Sequence, residues 1–158
     1  MMKGNELEKR ANKANLKYRI DLKALILKVP TPIVMTKKGL VAEQSTVDYT
    51  GTITGGLSIA FDAKEVMSKT SFPLSNIKEH QLQYLQFTKK LGGITFFLIH
   101  FKAVYKDQAF ITPISLVESY WDGAKRKSIP FTDFQDSWLC TIENYIDKVI
   151  DLKEELLK

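Results

Sequence analysis

Soft metal ligands are scarce in this chain: one cysteine, Cys140, and two histidines in 158 residues. A single cysteine cannot close an internal disulfide, and in the apolar context SWLCTI, read as helical, Cys140 is expected to be a buried spectator in a reducing, cytoplasmic compartment. His80 and His100 have no Cys or His partner at ligand spacing, which excludes a structural zinc site built on them. His100 alternates with core residues of a strand and is expected to be packed. Long apolar runs are missing as well. The longest, ITFFLIHF, falls well short of the ~20 residues that span a bilayer, and MMKGNELEKR lacks the apolar segment of a secretory signal. Neither membrane insertion nor export is expected. Acidic residues are in deficit, 18 Asp and Glu against 23 Lys and Arg, a formal net charge of +5. The pI of about 9.2 favours an anionic partner such as nucleic acid.

The composition, 44% hydrophobic and 26% charged, is that of a globular chain, and the length suits a single domain over residues 1–158. There is no internal repeat and no low-complexity tract. Residues 4–18 carry Leu7, Ala11 and Ala14 at helical spacing, with Glu6, Glu8, Lys9 and Arg10 on the other face. ALILKV is a strand stopped by Pro30-Thr31-Pro32. Residues 33–44, with Lys37-Lys38-Gly39 at a turn, form a short basic loop or hairpin arm projecting from the body. Strands over 45–54 and 57–64 flank Gly55-Gly56, a hairpin signal. A capping box at Asn76 and Glu79 opens a helix bearing Ile77, Gln81, Tyr84, Leu85 and Thr88 on one stripe. ITFFLIHF is a central strand, AVY and AFITPI a hairpin turned at Lys106-Asp107, SLVESYWDG a short helix, and 133–158 a long helix. The resulting order, α-β-β-β-α-β-β-α-α, predicts an α/β fold with a central mixed sheet flanked by helices.

The stretch STVDYTGTITGGLSIAFDAKE raises the question of chemistry. Period-two alternation puts Asp62 and Lys64 on one face of their strand, away from Leu57, Ile59 and Phe61. Asp48, on the partner strand, can converge with Asp62 on one hard cation, with the Ala63 carbonyl as a third oxygen ligand. Such a trio suits phosphodiester hydrolysis, where Mg²⁺ neutralises charge on the phosphate and Lys64 holds or polarises a water. The competing reading is a solvated hairpin face with a weak cross-strand ion pair. Spacing alone favours that competitor.

Six blocks in order change the balance. GNELEK near the start, Lys28 with PTP, STVDYTG, IAFDAKE, FPLSNIKEHQ and LGGITFFLI together resemble the RecU family of Holliday junction resolvases, which have the restriction-endonuclease-like PD-(D/E)XK core. The resemblance implies a Mg²⁺-dependent endonuclease, with Mn²⁺ able to substitute, that resolves four-way DNA junctions by paired symmetric nicks leaving 5′-phosphates. It further implies a homodimer with two sites, acting on cytoplasmic DNA beside recombination proteins; the sequence leaves cellular or phage origin open, and a shortened version of the family would suit a phage-encoded copy. Carried over by position, Asp48 and Asp62 bind the metal and Lys64 is catalytic. Glu8 faces the site from the first helix and contributes to the metal, and Gln81 lies near the scissile phosphate. Lys28, Lys37, Lys38, Tyr49, Lys89 and Lys90 are assigned to DNA contact, and Lys125-Arg126-Lys127 is a further candidate. For each cluster, solubility alone is an equal reading. Tyr120-Trp121 and the long C-terminal helix are read as core or dimer surface and not as base-stacking platforms.

The chain departs from the family pattern at three places. Val47 stands where the superfamily has proline, Asp62 where glutamate is commoner, and Ala60 where an acidic residue is usual. The arm at 33–44 is short for the family's junction-inserting stalk. Two alternatives stay open: a related nuclease for other branched DNA, and a catalytically silent DNA-binding accessory protein.

Overall fold

Leu7, Ala11, Ala14 and Tyr18 form one buried stripe of the first helix, α1 (Glu6–Ile20), whose acidic first turn and basic last turn complement the helix dipole. The computed structural model describes residues 6–30, 33–42, 46–121 and 127–158, the side chain of Ala42 excepted. After α1 come β1 (Ala24–Lys28), β2 (Ile33–Thr36), β3 (Gly39–Ala42), β4 (Tyr49–Ile53) and β5 (Leu57–Val66). Gly55 and Gly56 make the β4–β5 turn at φ 91 and 79, values that glycine adopts without steric cost. Next come β6 (Ser71–Pro73), α2 (Glu79–Lys90), β7 (Ile94–Phe101), β8 (Gln108–Thr112) and α3 (Ile114–Trp121). The chain ends with β9 (Ser128–Pro130), β10 (Trp138–Thr141), α4 (Tyr145–Asp151) and α5 (Lys153–Leu157).

Six strands form one mixed sheet in the order β1-β4-β5-β7-β8-β10. Only the β5–β7 pair is parallel, with α2 in the crossover, and the other neighbours run antiparallel. Every residue of β7 is buried, as a strand covered on both faces requires. On one face Ile59, Phe61 and Ala63 of β5 pack with Leu7, Tyr18, Tyr145 and Ile146 from α1 and α4. On the other, Ala60 and Val66 pack with Ile77, Leu82, Leu85 and Val117 beside α2 and α3. Asp62 and Lys64 stand on the side opposite Ile59 and Phe61, as the period of two predicts. The second layer corrects the solvated-face alternative, because α2 covers their side as well.

The long C-terminal helix is also corrected. Residues 138–141 form β10, which pairs Trp138 with Ile111 and Cys140 with Ala109, and the helical part is split into α4 and α5. Trp138, Ile142 and Tyr145 satisfy a helical spacing, but β8 would otherwise leave an unpaired edge, and the ladder it offers decides the conformation. Cys140 is therefore a buried strand residue whose thiol donates to the Ala109 carbonyl at 3.4 Å. Ala103 and Val104 are turn and Tyr105 is irregular, none of them strand: β7 itself pairs with β8, and Val104 and Tyr105 donate to the Phe101 carbonyl to close the corner. Finally, α2 starts with Lys78 as its cap and not Asn76, which lies in a 3-10 turn over Leu74–Asn76.

The arm forms as a separate two-stranded sheet, β2 with β3, with Lys37 and Lys38 in its turn. Its remaining residues, 43 and 44, lie outside the described residues, as do Lys125 and Arg126. Ile33, Met35 and Leu40 share one face and are 68%, 76% and 71% exposed.

One close backbone approach fixes the sheet beside Asp48. A Cβ on Gly51 would lie 2.0 Å from the Leu25 carbonyl oxygen of β1. Gly51→Ala is expected to cost about 2 kcal/mol or more by forcing β1 off β4, read as a lowered urea midpoint. An unchanged midpoint would show that β1 yields without loss.

Candidate active site

Register in the β4–β5 hairpin pairs Tyr49 with Phe61, which sets Asp48 beside Asp62 just past the end of the ladder. Each aspartate then accepts a backbone N–H from the other's strand. The Asp48 N–H donates to Asp62 Oδ1 at 2.7 Å, and the Ala63 N–H donates to Asp48 Oδ2 at 3.1 Å. Within a strand the N–H and C=O of one residue face the same neighbour, so the Ala63 carbonyl points toward this same edge. Asp62 is 0% exposed and Lys64, two residues on, puts Nζ 2.7 Å from Asp62 Oδ2 with its side chain 17% exposed. These burials exclude the solvated-face reading.

Lys64 has a second anchor. Its Nζ donates to Gln81 Oε1 at 3.2 Å, and the same oxygen accepts the Lys78 N–H at 3.0 Å. Gln81 thus caps the start of α2 and orients the lysine at once, which requires the glutamine in the first turn of the crossover helix. Burial, then the Asp62 charge, push the Asp48 carboxyl up to about 6; the Ala63 N–H and the Lys64 charge oppose the rise. Two carboxyl groups held together in a partly desolvated place carry more negative charge than one lysine balances.

Glu8 approaches from α1. Its carboxylate pairs with Lys28 Nζ at 2.9 Å, and its side chain is 16% exposed. Among the described residues no three Asp, Glu, His or Cys side chains are grouped to hold a metal ion, so the described oxygen set is Asp48, Asp62 and the Ala63 carbonyl. Tyr49, expected at the DNA surface, is fully buried and stacked on Phe61. Its hydroxyl donates to Asn12 Oδ1 at 2.7 Å and reaches the Glu8 carbonyl at 3.5 Å, tying α1 to the strand that carries Asp48. Burial, and next the charges of Glu8, Asp48 and Asp62, raise its phenol well above the usual range. A buried ring has no surface to offer DNA, so its contribution is to position α1. Asn12, four residues after Glu8 on the same helix face, is the partner that sequence reasoning missed; the i, i+4 spacing was the available signal.

The basic residues are spread out. Lys37 and Lys38 sit on the arm, Lys28 at the end of β1, and Lys89 and Lys90 in the last turn of α2, roughly 12 Å of helix from Gln81. His100 is buried, with Nε2 2.7 Å from the Tyr105 carbonyl oxygen and Nδ1 3.5 Å from Glu65. It lies on the opposite face of the sheet from Lys64.

A mixed sheet with a parallel crossover, flanked by helices and carrying an acidic pair and a lysine on adjacent strands, defines a restriction-endonuclease-like nuclease core. The chain is similar in fold to Archaeoglobus fulgidus Hjc, a Holliday junction resolvase, with a TM-score of 0.53 and 11% identity over 87% of this chain and 98% of that one. Residues 2–156 match the family described as Recombination protein U, RecU. The Holliday junction resolvase RecU of Pediococcus pentosaceus is 36% identical over 149 residues, 85% of this chain and 73% of the relative. That of Oenococcus oeni is 35% identical over 144 residues, 82% and 72% respectively. This chain belongs to the RecU family.

Proposed function

We propose that this protein is a structure-selective endonuclease that resolves four-way DNA junctions by paired nicks. The observation that carries the reading is the cluster of buried Asp62 and Gln81 with half-buried Asp48 and Lys64, in a chain whose curated relatives are named Holliday junction resolvases. The donor set fits a hard divalent cation. All its atoms are oxygens, Asp62 Oδ2 is buried with the Lys64 ammonium 2.7 Å away as its described partner, and the Asp48 carboxyl is raised by burial and then by the Asp62 charge. Asp48, Asp62 and the Ala63 carbonyl would hold Mg²⁺, with Mn²⁺ as substitute, and Glu8 would join from α1. When bound, the ion supplies charge neutralisation at the phosphate and a more acidic water.

The chain's own residues do the rest. Lys64 places an ammonium beside the reacting phosphate, where it orients water and offsets developing negative charge. Gln81 holds that ammonium in one rotamer, so the site is organised before DNA arrives. Lys28, Lys37, Lys38, Lys89 and Lys90 meet backbone phosphates, and the β2–β3 arm engages the junction centre. A single nuclease domain per subunit and a two-fold dimer match the two equivalent strands of the substrate. Such an enzyme works on cytoplasmic, nucleoid-associated DNA alongside recombination proteins. Among the described residues no helix is long and apolar enough to cross a membrane.

The test is to incubate the protein with an immobile four-way junction and a linear duplex of the same sequence, with and without Mg²⁺, and to map the nicks. Symmetric, metal-dependent nicks on the junction alone are expected. Equal cutting of the duplex would make it a less selective nuclease, and binding without cutting in Mg²⁺ or Mn²⁺ would make it an accessory protein.

A further inference from the structure

We propose that the cavity between α3 and the segment joining β6 to α2 receives one unstacked nucleobase from the branch point of the DNA, against the Trp121 ring and with its phosphate on Lys127. This rests on the reading of the chain as a junction endonuclease and adds a recognition site to it. The cavity holds about 640 Å³ and is walled by Pro73, Leu74, Ile77, Tyr120 and Trp121, with Lys127 at its edge. That volume lies within the roughly 300–1,000 Å³ of small-molecule sites, enough for a base with part of its sugar.

The walls are fixed before any ligand arrives. Phe72 pairs with Ile129 in the short β6–β9 ladder, and the Leu74 N–H donates to the Lys127 carbonyl at 2.9 Å. The Tyr120 hydroxyl donates to Asp133, so the tyrosine is held in place by its tip. Trp121 and Tyr120 are partly buried against the second core layer and keep part of their surface for the cavity. Apolar walls keep a phosphate out of the depth, while an exposed lysine at the mouth attracts one. Aromatic faces stack on any base, so the site is indifferent to sequence and selects an unpaired base over a paired one.

The position links this cavity to the chemistry. Ile77 lines it and belongs to the same apolar layer as Ala60 and Val66, which bracket Asp62 and Lys64 along β5. The next residue, Lys78, donates its N–H to Gln81 Oε1, and that oxygen accepts from Lys64 Nζ. Two hydrogen bonds therefore separate the cavity wall from the lysine at the proposed scissile phosphate. A branch point is where a base leaves the stack at least cost, since its neighbours are already discontinuous. Occupancy of the cavity would register a branched strand in the site and leave a linear duplex, whose bases are stacked on both sides, without this contact.

Trp138→Phe leaves Trp121 as the sole tryptophan, because the chain has two. That variant is titrated with the four-way junction and with linear duplex in the absence of divalent cation, following tryptophan emission. Junction is expected to quench the emission and duplex to leave it unchanged. In the otherwise unaltered protein, Trp121→Leu, which keeps apolar packing but cannot stack, is expected to weaken junction binding about tenfold or more with duplex binding retained, and Trp121→Phe to restore most of the loss. Should the leucine variant fail to fold, the emission titration decides alone. Unchanged emission at saturating junction, or a folded leucine variant that binds junction like the parent, overturns the base site while Mg²⁺-dependent junction cutting by the parent keeps the endonuclease reading. A parent that never cuts the junction overturns both.

Discussion

Asp62→Asn is expected to lower the rate of junction nicking by about 10³-fold or more and to destabilise the fold at the same time. The activity loss follows from removing one of two carboxylates that would hold the cation, worth several kcal/mol of transition-state stabilisation. The stability loss has a separate cause. Asparagine still accepts the Asp48 N–H through its amide oxygen, so the 2.7 Å bond survives. What disappears is the charge opposite Lys64 Nζ, in a place where Asp62 is 0% and Lys64 17% exposed. Leaving a buried ammonium without its counter-ion costs about 3–5 kcal/mol when nothing replaces it. Here Asp48, no longer repelled by Asp62, remains in reach of the lysine's field and returns part of the loss, so about 2 kcal/mol is expected. Initial nicking rates and metal-free thermal unfolding measure the two effects. A rate within tenfold of the parent would remove Asp62 from the metal site.

Asp48→Asn should lose cleavage comparably yet make the metal-free protein more stable at neutral pH. The folded carboxyl is pushed up to about 6, above its ordinary value of 3.8, so the native state binds this proton more tightly than the unfolded chain does. The ionised aspartate therefore carries its full cost above pH 6, and the cost fades as pH falls through 6 toward 3.8. Asparagine removes it while keeping an acceptor for the Ala63 N–H and gaining a donor for Asp62. A gain of about 1–3 kcal/mol, or roughly 2–12 °C in melting temperature, is expected at pH 7.5, shrinking steadily below pH 6. Saturating Mg²⁺ should reverse the order by stabilising the parent alone. A variant less stable than the parent at pH 7.5 without metal would mean that Asp48 is not strained by its partner. The opposite stability effects at two adjacent carboxylates follow from burial: one is balanced by Lys64 and the other is in surplus.

The hairpin at Gly55-Gly56, the strand ITFFLIHF and the arm around Lys37-Lys38 were legible because each depends on a few neighbouring residues. The C-terminal strand was not, since WLCT becomes a strand only because β8 presents a free edge to it from more than twenty residues away in sequence. Tyr49 shows the same limit at a single side chain. Assigned to DNA contact from the sequence, it is instead drawn into the core by Phe61 beneath it and Asn12 on α1.

By itself the sequence determined the family, the mixed α/β class and the period of two that sets Asp62 and Lys64 on one side of a strand. Alternation is a property of the extended backbone, so it holds whatever packs against the strand. Only the tertiary structure decided that α2 covers that side, that Gln81 reaches Lys64, that two aspartates share one poorly solvated corner, and that Trp121 borders a cavity two hydrogen bonds from the lysine. Desolvation and charge coupling depend on which distant segments close over a site, and that closure is written in packing between elements and not in the order of residues within one.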